Sequence, residues 1–388
     1  MHTQRQRCVG VLIAALVPLI LPITANAASW KTGLLWEHGG STANRLLGVS
    51  CFSTSSCAAV GFLATSLGDL PLALQWNGAT WTSATVPVPK EKPVTELFGA
   101  SCPSSTECFA VGGAENGFAT QITLVEQLKS KEWKIVPSPN PAKAAASILK
   151  GVSCVSSTVC IAVGDYANEV LTNENLAEIW NGTEWKIQAT PNEKEATFDE
   201  LVAVSCTSSS KCTAVGNYRN KAGNTHSLAE RYNGKEWLIQ ETPNPTGATN
   251  TELLGVSCVS STECYTVGHS EDGGGTLLTL GELWNGTKWA LQKTPNPSGS
   301  KGATLSGVSC RRASECEASG SYTNSSGKVV TLAEGWGGKE WAVQATQELN
   351  ASPYELFGVS CGATAKCQAV GDAVSTAPKE LVLIEEYG

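Results

Sequence analysis

The residues best equipped for chemistry are the cysteines. Fourteen of the fifteen fall into pairs six positions apart: Cys51 with Cys57, Cys102 with Cys108, Cys154 with Cys160, Cys206 with Cys212, Cys258 with Cys264, Cys310 with Cys316, and Cys361 with Cys367. The first members follow one another at 51, 52, 52, 52, 52 and 51 residues, so we number the repeats one to seven. Such a pair can close a disulfide, hold a metal as two thiolates, or stay free. Zinc pairs generally have about two to four intervening residues and a second pair nearby. These have five and stand alone. Opposed positions on antiparallel strands bring two Cα atoms into disulfide range. The expectation is therefore seven local disulfides.

Two further residue types invite a chemical reading. Acid–base work needs paired carboxylates, and Glu126, Glu178, Glu230, Glu282, Glu334 and Glu385 recur at one register, with Leu74 in repeat one. A residue found in nearly every copy is most simply scaffold. These glutamates are expected to repeat one hydrogen bond, to a backbone N–H or to the serine before the first cysteine (Ser50, Ser101, Ser153, Ser205, Ser257, Ser309 and Ser360). Sugar stacking needs exposed aromatic faces. The chain has twelve Trp against seven Phe and seven Tyr, yet most tryptophans stand in fixed pairs such as Trp76/Trp81, Trp180/Trp185, Trp284/Trp289 and Trp336/Trp341. Facing aromatics across a hairpin stabilise sheets, so core packing is expected. A multivalent lectin using these Trp-Asn-Gly hairpins is the rival, and exposed rings would reveal it.

The elements that position these groups are short strands. Repeat three shows the phrase: Leu149-Lys150-Gly151-Val152-Ser153-Cys154 (strand A), Cys160-Ile161-Ala162-Val163-Gly164 (B), a variable stretch, Leu176-Ala177-Glu178-Ile179-Trp180 (C), an Asn181-Gly182 turn, Trp185 to Gln188 (D), and Thr190-Pro191-Asn192. A five-residue Ser-rich turn joins A to B. Asn-Gly is a strong hairpin signal, and the prolines end pairing. No segment holds a 3.6-residue apolar period. Four-stranded units at this period are the mark of propeller blades. Repeat seven ends with Tyr387 in the place of the strand C tryptophan, so it lacks strand D. Trp30 precedes Cys51 by 21 residues, as Trp185 precedes Cys206, so about residues 30–36 supply the missing strand. That closure removes edges that would otherwise aggregate. The expected fold is all-β: a seven-bladed β-propeller of four-stranded antiparallel blades, one domain over residues 28–388, closed by the N-terminal strand.

Residues 1–27 read as a secretory signal peptide, with Arg5 and Arg7, an apolar run from Val9 to Ile23, and an Ala25-Asn26-Ala27 cleavage site. Removal leaves 25 basic against 35 acidic residues, a net charge of −10. That argues against nucleic-acid and anionic-membrane partners. No later segment approaches the roughly 20 apolar residues of a membrane span. An exported, extracellular monomer is expected, in a compartment where disulfides persist.

The order Cys-x-Ala-Val-Gly, variable loop, Ala-Glu-x-Trp-Asn-Gly, Trp resembles the kelch pattern. It is more similar still to the Trp-Asn-Gly repeat proteins that some bacteria export, often labelled kelch-like or galactose-oxidase-like. The resemblance covers about residues 30–388 and implies a fold rather than an activity. It departs from kelch after the strand B glycine, where a second glycine stands only at Gly113; elsewhere the position holds Phe62, Asp165, Asn217, His269, Ser321 or Asp372.

A single ligand site must break the symmetry. The B–C loops and D–A linkers share one face, and just after the strand B glycine come Asp165, Tyr166, Asn217, Tyr218, His269, Tyr322 and Asp372. His38 falls in a linker on the same face, and His226 and His269 in loops of neighbouring blades. Asp165, Tyr166, Asn217, Tyr218, His226, His269, Tyr322 and Asp372 are the candidate ligand-binding residues. Enzyme readings fare worse. A galactose-oxidase-like copper site needs two Tyr and two His in one cluster, in part from a further C-terminal domain. A metal cluster of Tyr218, His226 and His269 is a minor alternative. A sialidase needs three convergent arginines, and the mature chain has only Arg45, Arg219, Arg231, Arg311 and Arg312. Gly-x-Ser-x-Gly and His-Glu-x-x-His do not occur, and Glu271-Asp272-Gly273 lacks the further carboxylates of a calcium loop. The expectation is a non-enzymatic binding or interaction module without a cofactor, taking an extracellular glycan, protein or cell-envelope partner.

Overall fold

The computed structural model describes residues 29–90, 94–115, 120–349, 351–363, 366–375 and 379–388. The expected signal peptide lies outside the described residues. Every regular element among them is a strand. In repeat three strand A is Ala146–Ser156, B is Val159–Ala167, C is Asn173–Trp180 and D is Trp185–Ile187, each antiparallel to the next. Repeats one, two, five and six each form a sheet of this order, while repeats three and four share an eight-stranded sheet through one parallel bridge, Asn173–Phe198. Strands A to C of repeat seven gain a fourth strand from the N-terminal segment. Trp30–Trp36 runs antiparallel to Glu380–Tyr387, with Trp30 opposite Tyr387 and Leu35 opposite Leu383. The architecture is a β-propeller of repeated four-stranded blades.

Why these residues pack so is visible in the burial of the inner strands. Cys160 to Asp165 of strand B are buried without alternation, because sheets cover both faces. Each apolar layer lies between consecutive repeats. Phe109, Val111 and Val125 of repeat two pack with Leu149, Ala162 and Trp180 of repeat three. Leu46 and Leu72 of repeat one pack with Val370, Val382 and Ile384 of repeat seven. Each such side chain contributes roughly 1.5–3 kcal/mol of apolar burial.

All seven expected disulfides are formed, each between strand A and strand B of one repeat. Cys51 is bonded to Cys57, Cys102 to Cys108, Cys154 to Cys160, and Cys206 to Cys212. Cys258 is bonded to Cys264, Cys310 to Cys316, and Cys361 to Cys367. The two ends of each bond differ in burial. Cys57, Cys108, Cys160, Cys212, Cys264, Cys316 and Cys367, on strand B, are at most 5% exposed. Their partners on strand A are half-buried. The cause is position in the stack, since strand B is covered by sheets on both faces. These cysteines are thus part of the core, and Cys160, Cys212, Cys264, Cys316 and Cys367 pack directly into the apolar layers. They are structural clips rather than an accessible reactive or ligand-binding set. In repeats one to six the turn between the pair is tighter than expected. In repeat three pairing runs on to Ser156 opposite Val159, which leaves Ser157 and Thr158 as the turn.

The recurrent serine serves a different partner from the glutamate. In all seven repeats its Oγ accepts from the backbone N–H of the first cysteine in the neighbouring repeat. Cys206 N–H donates to Ser153 at 3.0 Å, Cys258 N–H to Ser205 at 3.0 Å, and Cys51 N–H to Ser360 at 2.9 Å. The last bond joins repeat one to repeat seven, whose A strands also touch.

The glutamates are buried in the seams instead. Three have a partner from the preceding repeat: Ser138 Oγ donates to Glu178 at 2.8 Å, Asn175 Nδ2 to Glu230 at 2.9 Å, and Thr331 Oγ1 to Glu385 at 3.0 Å. Glu126, Glu282 and Glu334 have no hydrogen-bond partner among the described residues. The exception in repeat one has a matching cause. Leu74 shares an apolar cluster with Val382, which stands three residues before Glu385, where Asn175 and Thr331 stand before Glu178 and Glu334.

Candidate functional site

The site begins with a bulge in strand A. Register slips between Leu149 and Gly151, and at the equivalent place in every repeat, so the middle residue of Leu-x-Gly has no partner on strand B. A bulge bends its strand and re-aims a side chain. Here the freed residues of all seven repeats line one cavity of about 620 Å³ together with the two residues that follow each, Gly-Val except for Gly99-Ala100 and Ala203-Val204. Glycine is required on the strand B side of the bend and favoured on the strand A side, where repeat four alone has alanine, Ala203. A Cβ on Gly151 would stand 2.9 Å from the Val202 carbonyl oxygen of the next repeat, and one on Gly164 would stand 2.0 Å from the Ile148 oxygen.

The cavity wall is mainly apolar, with Val49, Phe98, Val152, Val202, Leu254 and Phe357. Its rim is charged. The residue before the strand A leucine pairs with the residue after the strand B glycine: Arg45 with Phe62, Glu200 with Asn217, Glu252 with His269, and Glu355 with Asp372. Lys150 spans two repeats, 2.9 Å from Asp165 and in contact with Glu200. Arg45 does the same at the junction of repeats one and seven, 3.1 Å from Asp372 and 3.0 Å from Glu380. Asn217 Nδ2 donates to Glu200 at 2.7 Å, and Ser321 Oγ to Glu355 at 3.0 Å.

Electrostatics at the rim follow from burial under a surplus of carboxylates. Burial pushes Asp372 up to about 6 against the pull of Arg45. Glu96 is pushed up to about 7, by burial first and then by Asp69. Burial alone would lower the Lys150 ammonium, but Asp165 and Glu200 outweigh it and hold the group charged. His269 is pulled down by burial, with Glu252 opposing. The rim thus pairs two fixed cations with a surplus of carboxylates, of which Glu96 and Asp372 are held above the usual carboxylate range.

The eight sequence candidates divide into two sets. Asp165, Asn217, His269 and Asp372 stand opposite the strand A rim residues. Asp165, Asn217 and Asp372 are themselves buried, in contact with Lys150, Glu200 and Arg45 respectively. Tyr166, Tyr218 and Tyr322 are one residue further along and pack with blade cores. The Tyr166 hydroxyl donates to Glu174. His226 sits in strand C, not in a loop, opposite Tyr218, with ring centroids 5.3 Å apart and Nε2 2.9 Å from Asn220. His269 likewise lies in strand B. The ladder runs on past the glycine in both cases. Among the described residues no three His, Cys, Asp or Glu side chains gather as a metal-holding group. Sequence reasoning passed over Arg45, Lys150, Glu200, Glu252 and Glu355. The signal was available, since the x of Leu-x-Gly differs from repeat to repeat (Leu47, Phe98, Lys150, Val202, Leu254, Ser306, Phe357).

Outside repeat one, where Trp76 and Trp81 are half-buried, the hairpin tryptophans offer no stacking face. Trp180, Trp185, Trp237, Trp284, Trp289, Trp336 and Trp341 are all at most 8% exposed. The paired rings lie 5.7 Å apart in Trp180/Trp185 and 5.8 Å in Trp284/Trp289, and Arg231 covers Trp284 at 4.5 Å. Repeated clefts built on exposed Trp-Asn-Gly rings are therefore ruled out for these residues.

No protein-family model matches the chain, and no curated protein matches it. Among solved structures it is similar to one described as YCF48 bound to D1 peptide, at TM-score 0.53 and 11% identity over 92% of this chain and 96% of that one. It is similar also to a protein of unknown function from Dyadobacter fermentans, at TM-score 0.51 and 7% identity over 92% of this chain and 97% of that one. At this identity the likeness shows the fold alone: the chain shares a propeller-like architecture with these proteins.

Proposed function

We propose that the chain is an exported binding module, a closed ring of seven four-stranded blades that takes an extracellular ligand at the axial mouth. Residues 1–27 are its secretory leader. Seven disulfides fit an oxidising compartment, and among the described residues no helix is long and apolar enough to cross a membrane. Trp30–Trp36 on Glu380–Tyr387 and Cys51 N–H on Ser360 support closure.

One observation carries the binding role. The strand A serine recurs in all seven repeats and the seam glutamate in six, whereas the bulged residues and the rim around the 620 Å³ cavity differ from blade to blade. A ring that needed only stability would have no use for Lys150 in one bulge and Phe357 in another. The apolar wall beneath an acidic rim suits a glycan or protein segment that joins an apolar group to a hydrogen-bond-donating or cationic one. Such a ligand keeps its polar end on the rim carboxylates while its apolar end leaves water.

Peptide and glycan arrays probed with the purified protein test this reading, followed by titration of the best hit against Ser306→Trp. Phe98 and Phe357 occupy the equivalent position, so an aromatic ring there is compatible with folding while it fills the cavity. Binding should weaken at least tenfold. Full binding by the plugged variant would refute the axial mouth as the site.

A further inference from the structure

The D–A linker carries a device that repeats two to five share and repeat six lacks. In repeats two to five strand D is followed by Ser or Thr, Pro and Asn: Ser138-Pro139-Asn140, Thr190-Pro191-Asn192, Thr242-Pro243-Asn244 and Thr294-Pro295-Asn296. The asparagine staples the linker to the start of strand C. Its Oδ1 accepts from Thr123 N–H at 2.9 Å, Asn175 N–H at 2.8 Å and Thr279 N–H at 3.0 Å, and in repeat four from Ser227 Oγ at 3.4 Å. In repeat six the triplet is Thr346-Gln347-Glu348. The threonine still bonds the Thr331 carbonyl at 3.4 Å, but Gln347 turns away to accept from Thr32 N–H at 3.1 Å, and Glu348 stands where the stapling asparagine would be.

The unstapled seam opens into a cavity of about 640 Å³ between repeats six and seven. A smaller one of about 270 Å³ lies at the equivalent place in repeat one, where Val86-Pro87-Val88 also lacks the asparagine. Its wall sets Leu63, Leu70, Leu72 and Val86 beside His38, Ser83 and Thr85, so it is smaller and carries no tyrosine. The repeat-six wall is different. Asn324, Ser326, Lys328, Thr346 and Glu348 supply hydrogen-bonding groups, and Tyr322 and Tyr354 supply two aromatic rings. One cation and one anion leave it without net charge.

We infer that this seam is a binding site for an uncharged polyhydroxylated ring, a neutral saccharide of one or two units. A ring of hydroxyls matches alternating donors and acceptors, and the tyrosines give its C–H faces an apolar surface. The volume lies within the range of small-molecule sites, about 300–1,000 Å³. This site is separate from the axial mouth. Its wall comes from the B–C loop and D–A linker of one blade with the strand A entry of the next, and shares no residue with the axial wall.

The test is an array of neutral mono- and disaccharides probed with the whole mature protein, with the strongest hit titrated by calorimetry. Glu348→Asn restores the staple, and Ser326→Trp blocks the opening from an exposed loop position. Each should weaken binding at least tenfold, with an unchanged or higher thermal midpoint for Glu348→Asn. Ser306→Trp at the axial mouth should leave this affinity unchanged, which separates the two sites. Absence of any bound saccharide, undiminished affinity in both seam variants, or loss in Ser306→Trp alone would overturn the assignment.

Discussion

Six carboxyl groups sit inside this protein with little to neutralise them. Glu126, Glu178, Glu230, Glu282, Glu334 and Glu385 are at most 1% exposed. Burial pushes Glu126, Glu178, Glu282 and Glu334 up to about 8, Glu230 to about 9 and Glu385 to about 7. Such groups are protonated in the fold at pH 5. A carboxyl whose folded value lies above its unfolded value takes up a proton on folding. Its contribution is fully present below the unfolded value of about 4.3 and is lost as pH climbs through the folded value. Thermal stability should therefore peak near pH 5 and fall steadily toward pH 9. Glu282→Gln keeps the shape without the charge, so its midpoint should match the parent at pH 5 and exceed it by several degrees at pH 9. A parent midpoint that rises over this range would contradict the burial of neutral carboxyls. The sequence marks these glutamates as scaffold, but not their partners, because Glu230 is served by Asn175 of the previous blade and that contact depends on packing between repeats.

Among the elements, strand A does the most. Its bulge aims one residue at the axis, its glycine admits the next blade, its serine holds that blade's cysteine N–H, and its cysteine clips it to strand B. The clip should be modest in energy. Each disulfide closes only a hexapeptide-sized loop, for which chain entropy gives about 2 kcal/mol. Removing one pair by Cys154→Ala/Cys160→Ala should lower unfolding free energy in urea by about that amount and leave the fold intact. Complete unfolding of this double variant would show that the clips hold the blades together, contrary to the packing described here. Strand identities and the cysteine pairing were legible because Leu-x-Gly-Val-Ser-Cys and Asn-Gly carry local signals. The unequal burial of the two cysteines was not, since it depends on the blades stacked against strand B. Nor was the bulge: Leu149-Lys150-Gly151 reads like an ordinary strand, and the slip appears only where the Gly164 backbone closes on Ile148. For the same reason Lys150 and Arg45 were missed, while Asp165 and Asp372, their partners, were found from their variability.

At the scale of the whole molecule, the repeats form layers in which each apolar cluster belongs to two blades, so no blade is complete alone. Repeat-one and repeat-seven residues share such a cluster just as repeats two and three do. The pairing of Trp30–Trp36 with Glu380–Tyr387 was legible from spacing alone, through the 21 residues between Trp30 and Cys51. The two cavities were not, since one is lined by A-strand residues of all seven repeats and the other lies between repeats six and seven, beside a linker that lacks Pro-Asn. The most direct test of closure is to place cysteines at Lys31 and Glu386, which face each other across the two end strands, and to map disulfides in the purified double variant by mass spectrometry. The ring predicts an intrachain bond between positions 31 and 386 in nearly every monomer, with the seven native pairs undisturbed. Free thiols at both positions, or a bond only between two chains, would contradict it.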